Sequence, residues 1–280
     1  MGGLKGGQSG ADIHLGRGNS NKILGRVLNG LKTEFWLASF EGGSKDNAIP
    51  REAFAKVFVA AKDSPALTAE IAAIEAALKE EFAEVDCGVF VRVSSLDSLG
   101  GAGSLKVFDD STKKAVLDLI LGLPFGVSSM SAELDGVVET SNNMGVVKVS
   151  DDGEKLLVSC SVRSLAASGK TGLCDKIAAV GAALGASYEI AGGYPGWEYN
   201  PVSPLREVFK KVYFERFGKE AVVTSIHAGL ECGIFADEMP GVDMVSVGPD
   251  LFDLHTPDER ADVASVERVY EYLVEVLGKL

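Results

Sequence analysis

The sequence predicts a mixed α/β chain, and three observations carry that prediction. Apolar residues switch repeatedly between a period of 3.6 and a period of 2, so helices and strands interleave along the chain. With 280 residues, 46% of them hydrophobic, the chain can bury a sizeable core and does not read as disordered. A glycine-rich break, Ala191-Gly192-Gly193-Tyr194-Pro195-Gly196, then separates a longer first part from a shorter second one. Two domains follow, 1–192 and 193–280.

In the first domain Asn19 to Leu31 reads as a helix, and Thr33 to Phe40 alternates like a half-buried strand. Phe54 to Ala60 is a second strand. The alanine-rich run Ser64 to Phe82 is a long helix with Pro65 in its first turn, where the absent N–H costs nothing. Gly88 to Val93 returns as a strand. Lys113 to Leu121 is a helix, and Gly145 to Val149 and Lys155 to Val162 form a hairpin around Asp151-Asp152-Gly153. A helix from Gly172 to Leu184 and a strand from Ser187 to Ala191 close the domain. The succession suggests two sandwich units, each a sheet with helices on one face, although no sequence repeat is visible. The opening Gly2 to Gly10 is a glycine-rich turn with no strand before it, which predicts a first sheet short of one edge partner.

In the second domain Ser203 and Pro204 open a helix with Leu205, Val208, Phe209 and Val212 inward, and Gly218 ends it. Ala221 to Ile226 is a nearly continuous apolar strand, as in a parallel sheet covered on both faces, and Asp243 to Val247 is its neighbour. A last amphipathic helix begins at Ser265, with Val266, Val269, Tyr270, Leu273 and Leu277 inward. This is about half of a parallel α/β domain, small to stand alone.

Composition excludes several classes. A net charge of −13 leaves no basic face for a nucleic-acid backbone or an anionic membrane. No apolar run approaches the ~20 residues of a membrane span and no signal peptide opens the sequence, so the reading is cytoplasmic. Cys87, Cys160, Cys174 and Cys232 stand without CxxC spacing and read as reduced, packed thiols, Cys232 included. Gly100-Gly101-Ala102-Gly103 lacks the strand and helix of a dinucleotide fold and reads as a loop.

Five segments carry a resemblance. They are Gly3 to His14 around Gly6-Gly7-Gln8-Ser9-Gly10, Gly42 to Ala53, and Thr140-Ser141-Asn142-Asn143-Met144-Gly145 with Arg163-Ser164. Gly193-Tyr194-Pro195-Gly196-Trp197 with Ser203-Pro204-Leu205 follows, then the stretch His227 to Glu259 with its HAGLECG and HTPDE turns. In this order they resemble the aminoacyl-histidine (Xaa-His) dipeptidases, carnosinase-like zinc peptidases, and specifically their C-terminal portion. The resemblance implies a lid and dimerisation domain over 1–192, then the C-terminal half of a catalytic domain over 193–280. It also implies hydrolysis of Xaa-His and related dipeptides by water activated on two zinc ions, and a homodimer paired through the lids.

Residue by residue, the resemblance makes His255 a zinc ligand; neutral histidine nitrogen is a preferred donor, and on its own His255 reads as a turn residue. Arg163 would grip the substrate carboxylate through its planar fork of donors, with Asn143 nearby. Gly229 and Glu231 would line the pocket at a strand-to-helix turn; alone, Glu231 reads as charge complementing a helix start. Gln8 stands where the family has a histidine reaching into the partner subunit's site. Glutamine can donate an N–H there but brings no charge. His14 does not match that spacing, and His227 reads as a core or pocket-lining residue.

The family takes its general base and most of its metal ligands from a segment N-terminal to the glycine-rich motif, and this sequence holds no counterpart of them. This chain alone is therefore expected to be inactive. Two other classes stay open: a non-catalytic dimerising or binding module, and one half of a split enzyme whose N-terminal half is a separate chain.

Overall fold

The computed structural model describes residues 1–95, 106–227, 230–252 and 259–280, so the Gly100 to Gly103 loop, Gly229 and His255 lie outside the described residues. The chain divides into two compact units. One is Met1–Gly192 with Ile226–Ala228, the other Gly193–Ser225 with Gly229–Leu280.

The first unit is built around an antiparallel sheet. A short pair, β1 (Gly7–Gln8) and β3 (Ala48–Ile49), stands apart from it. The main sheet contains β2 (Trp36–Gly42), β4 (Ala53–Phe58), β5 (Gly126–Met130), β6 (Val138–Val149) and β7 (Leu156–Ser164). β6 is its centre. β7 runs along one edge of β6, while β5 pairs with the start of the other edge and β2 meets its end at Gly42–Val147. β4 lies outside β2. Every pairing is antiparallel, so one five-stranded sheet stands where two sandwich units were expected.

Among the described residues four α-helices accompany the sheet: α1 (Ser20–Gly30), α2 (Ser64–Glu81), α3 (Asp110–Gly122) and α4 (Ala167–Ala183). α1 starts where Asn19 leaves helical geometry, its side-chain oxygen accepting from the amides of Asn21 and Lys22 at 3.0 and 3.2 Å. Its apolar stripe, Ile23, Leu24, Val27 and Leu28, meets Phe40, Leu37, Met144 and Val147 of the sheet and Val116, Leu117 and Ile120 of α3 in one continuous core. α3 ends with its carbonyls turned to a half-buried cation. Lys22 Nζ donates to the oxygens of Ile120, Leu121 and Leu123, each at 2.7 Å. Burial holds the pKa of that ammonium down to about 8.

The 151–153 hairpin forms as expected, with Gly153 at φ 74°, but β6 begins seven residues before the expected Gly145. Gly88 to Val93 is reduced to a single bridge between Gly2 and Phe90. Ser187 to Ala191 forms no strand, and Tyr188 and Ile190 are exposed.

The second unit holds α5 (Pro204–Phe217), α6 (Glu231–Glu238), a two-stranded pair β8 (Leu251–Phe252) and β9 (Arg260–Ala261), and α7 (Val263–Leu277). Ser203 caps α5 by accepting from Arg206 N at 3.1 Å, and its hydroxyl donates to Asp243 at 2.6 Å. The second Asp243 oxygen accepts from Leu205 N at 2.8 Å, and Gly218 closes the helix at φ 68°. α5 and α7 pack through Val212, Tyr272 and Val276, with Tyr272 edge-on to Phe209 and Tyr213, both at 5.7 Å.

Two expectations fail here, in part or in full. On α7 Val269 and Leu273 are half-buried beside the buried Ser265, Tyr272 and Val276, while Val266, Tyr270 and Leu277 face outward, so the expected stripe holds only in part. Neither Ala221 to Ile226 nor Asp243 to Val247 pairs as a strand, so no parallel sheet forms among the described residues.

Candidate functional site

The side of the sheet formed by Ser141 and Asn143 carries polar groups instead of helices. Along β6 successive side chains alternate between faces. Met144 joins the apolar core, and Asn142 Nδ2 donates to Pro124 O at 2.7 Å. Asn143, facing the other way, donates to the carbonyls of Asp46 and Ala48 at 2.7 and 2.8 Å. Both N–H groups of Asn143 are thereby used, while its buried Oδ1 has no partner among the described residues. An acceptor is what Asn143 has left to offer. Gly145 lets the loop come this close, because a Cβ there would collide with the backbone of Asp46.

Two residues before Asn143, Ser141 sits directly opposite Arg163 of β7. Three segments meet around that pair within the first unit. Arg163 Nε donates to Ser9 Oγ at 3.2 Å, and a terminal nitrogen donates to the carbonyl of His227 at 3.3 Å. Ser141 Oγ lies 2.7 Å from His227 Nε2. Ser9 and Ser141 are buried, while Arg163 and His227 are half-buried. Gly10 allows the contact, since a Cβ would run into the His227 carbonyl oxygen.

Burial, and secondarily the charge of Arg163, pushes the pKa of His227 down to about 4. The imidazole is therefore neutral near pH 7, and the cluster's charge resides on Arg163. Guanidinium has five N–H donors, and these contacts occupy two. Among the described residues no carboxylate pairs with Arg163. A half-buried cation, held from behind and lacking an anionic partner, suits a carboxylate.

Gln8 is exposed, and its Oε1 turns back onto its own loop, accepting from Gly10 N at 2.8 Å and Ala11 N at 2.5 Å. Its amide donor remains for a contact beyond that loop. Glu231, also exposed, is the first residue of α6 in the second unit, its charge in the helix's first turn. Arg163 and Asn143 thus share one sheet face. Ser9, Ser141 and His227 complete the cluster, though sequence reasoning gave the two serines no role and left His227 as pocket-lining at best. Both serines lie inside quoted motif segments, but a hydroxyl in a glycine-rich or strand segment carries no signal of its own.

Among the described residues no group of three or more His, Cys, Asp or Glu side chains could hold a metal ion. They do not by themselves fit a zinc centre. No described helix is long and apolar enough to cross a membrane.

Residues 2–86 match the peptidase dimerisation domain family. The chain is 38% identical over 280 residues to the cytosol non-specific dipeptidase of Escherichia coli K12, a match covering 99% of this chain and 56% of that protein. Its fold is similar to the crystal structure of aminoacylhistidine dipeptidase from Vibrio alginolyticus, with a TM-score of 0.90 and 36% identity, over 100% of this chain and 56% of that one. The similarity to a peptidase dimerisation domain is thus confined to part of the first unit. Along its whole length the chain is similar to these dipeptidases, and it spans about half the length of the relatives it matches.

Proposed function

We propose that the chain is the lid and C-terminal portion of a zinc-dependent dipeptidase that hydrolyses Xaa-His and related dipeptides. The observation that carries this reading is Arg163, a half-buried guanidinium steadied by Ser9 and the His227 carbonyl, with no carboxylate paired to it among the described residues. In it Arg163 grips the substrate's C-terminal carboxylate, and the Asn143 oxygen accepts from a substrate N–H. Gln8 offers its amide donor to the partner subunit's site of a homodimer formed through the dimerisation domain. Gly229 and Glu231 line the pocket, and His255 supplies one zinc ligand. His255 alone would not hold zinc; together with ligands from outside this stretch it would place a Lewis acid beside the substrate. The remaining ligands and the general base come from polypeptide outside this stretch of sequence. The name of the E. coli relative supports a cytoplasmic location.

The reading is tested by titrating Xaa-His dipeptides into the purified chain. Arg163→Lys is expected to weaken binding about ten-fold, since a lysine cannot form two parallel bonds to a carboxylate. A C-terminally amidated dipeptide is expected not to bind. Equal affinity for the acid and the amide would remove Arg163 from this role. Hydrolysis assays with zinc, cobalt or manganese are expected to show no chelator-sensitive turnover by the chain alone.

A further inference from the structure

Asp86 is fully buried and forms no ion pair among the described residues. A carboxylate in that setting loses its hydration and must recover the loss through hydrogen bonds. Both of its oxygens do so on one segment. Oδ1 accepts from Lys5 N and Oδ2 from Gly18 N, each at 2.7 Å. These two amides stand at the two ends of residues 5–18, which the Asp86 side chain thereby closes into a loop.

The loop depends on that closure. Gly3, Gly6 and Gly7 sit at φ 81°, 64° and 149°, and glycine has no preference of its own that would hold the chain there. Regular structure inside the loop is limited to β1 and one turn of 3-10 helix, Ile13–Leu15. Arg17 donates to Gly6 O at 2.6 Å, and Asp12 accepts from Gln8 N at 2.8 Å. The loop reaches the site through Ser9. Its amide donates to Asn47 O at 2.9 Å, and its hydroxyl accepts from Arg163 Nε at 3.2 Å.

We infer that Asp86 is a positioning residue for Arg163. By fixing both ends of 5–18 it sets Ser9, and Ser9 sets the plane in which the guanidinium meets a carboxylate. Asp86 acts through the loop rather than on the ligand. Alignment matters because a planar fork forms two parallel bonds only when its plane matches that of its partner. A buried carboxylate without a cation is a costly way to brace a surface loop. Its placement makes sense where the loop must hold one atom, the Ser9 oxygen, behind a binding group. The inference rests on the dipeptidase reading for the identity of the ligand.

The test is a double-mutant cycle read by titrating Xaa-His dipeptides into the full chain. Asp86→Asn keeps the side chain's size but turns one acceptor into a donor facing a backbone N–H. It should weaken dipeptide binding about ten-fold in the parent chain and less than about two-fold when Arg163→Lys is already present. A purely structural role would cost both backgrounds alike, and equal losses would overturn the inference. If Asp86→Asn does not fold, the parent chain carries the test. By linkage, a dipeptide at about ten times its Kd should slow hydrogen exchange of the Lys5 and Gly18 amides about five-fold. Unchanged exchange at both amides would overturn the inference. Failure of the dipeptidase reading is scored separately, as the absence of binding by any Xaa-His dipeptide. The inference is then decided in the free chain, where Asp86→Asn should speed exchange of the Arg163 Nε proton about five-fold. An unchanged rate there would overturn it.

Discussion

The two units of this chain use similar sequence material to different ends. The first closes its core on itself: Phe40, Leu37, Ile120 and Val147 are fully buried, and contributions come from every long element between Met1 and α4. The second has helices of comparable length, yet among its described residues three apolar side chains are buried. Composition does not explain the contrast, because the second unit is rich in valine, leucine and aromatics. What differs is whether the chain itself supplies the facing layer. Hydrophobic patterning specifies which face wants burial; it does not guarantee an occupant.

The largest test of that contrast is truncation on each side. Phe40→Ala should cost about 3–5 kcal/mol, because the cavity sits in a close-packed core. Tyr270→Ala should change stability by less than about 0.5 kcal/mol in the chain alone. Urea unfolding of both variants measures this, and comparable losses would erase the distinction between the units. A smaller contrast concerns cations at carbonyls. Lys22→Met strips the carbonyl oxygens of Ile120, Leu121 and Leu123 of a half-buried partner and should cost about 1–3 kcal/mol. Arg206 makes similar contacts to Asn200 and Pro201 at the surface, and Arg206→Met should cost below about 1 kcal/mol by the same assay.

A third test is a pH dependence confined to the first unit. The pKa of His227 is 6.5 when unperturbed and about 4 in the folded chain, so between those values the unfolded chain takes up the proton first. Stability from this group is full above pH 6.5 and falls as the pH drops toward 4. His227→Gln should flatten that part of the profile for amides of β6 and β7, followed by hydrogen exchange. An unchanged profile would place the titration elsewhere.

The sequence made the local features legible and the long-range ones less so. Asn19 as a cap, the Asp151-Asp152-Gly153 turn and the Ser203 start of α5 declare themselves through chemistry within a few residues. The early half of β6 did not, because Thr140, Ser141, Asn142 and Asn143 look like a loop. Their polarity is tolerated in a central strand because Ser164, His227, Pro124, Asp46 and Ala48 bond them across the fold. Ala221 to Ile226 shows the converse, a strand pattern with no ladder, since pairing belongs to two segments and periodicity to one. At the site, Arg163 and Asn143 could be named from their motifs, whereas their support by Ser9, Ser141 and the His227 carbonyl depends on chain crossings that no local pattern encodes.

The run 221–226, which pairs with no strand among the described residues, has a further consequence for the chain in solution. Ala-Val-Val-Thr-Ser-Ile contains no charge, proline or glycine, the composition of segments that stack into cross-β aggregates when left uncovered. Lys219 and Glu220 flank it on one side as gatekeepers, and the net charge of −13 keeps copies of the chain apart. That repulsion acts over a Debye length of about 10 Å at 0.1 M salt and about 3 Å at 1 M. The colloidal stability of this chain therefore rests on ionic strength, and high-salt buffers would drive it toward fibrous precipitate unless the edge is covered.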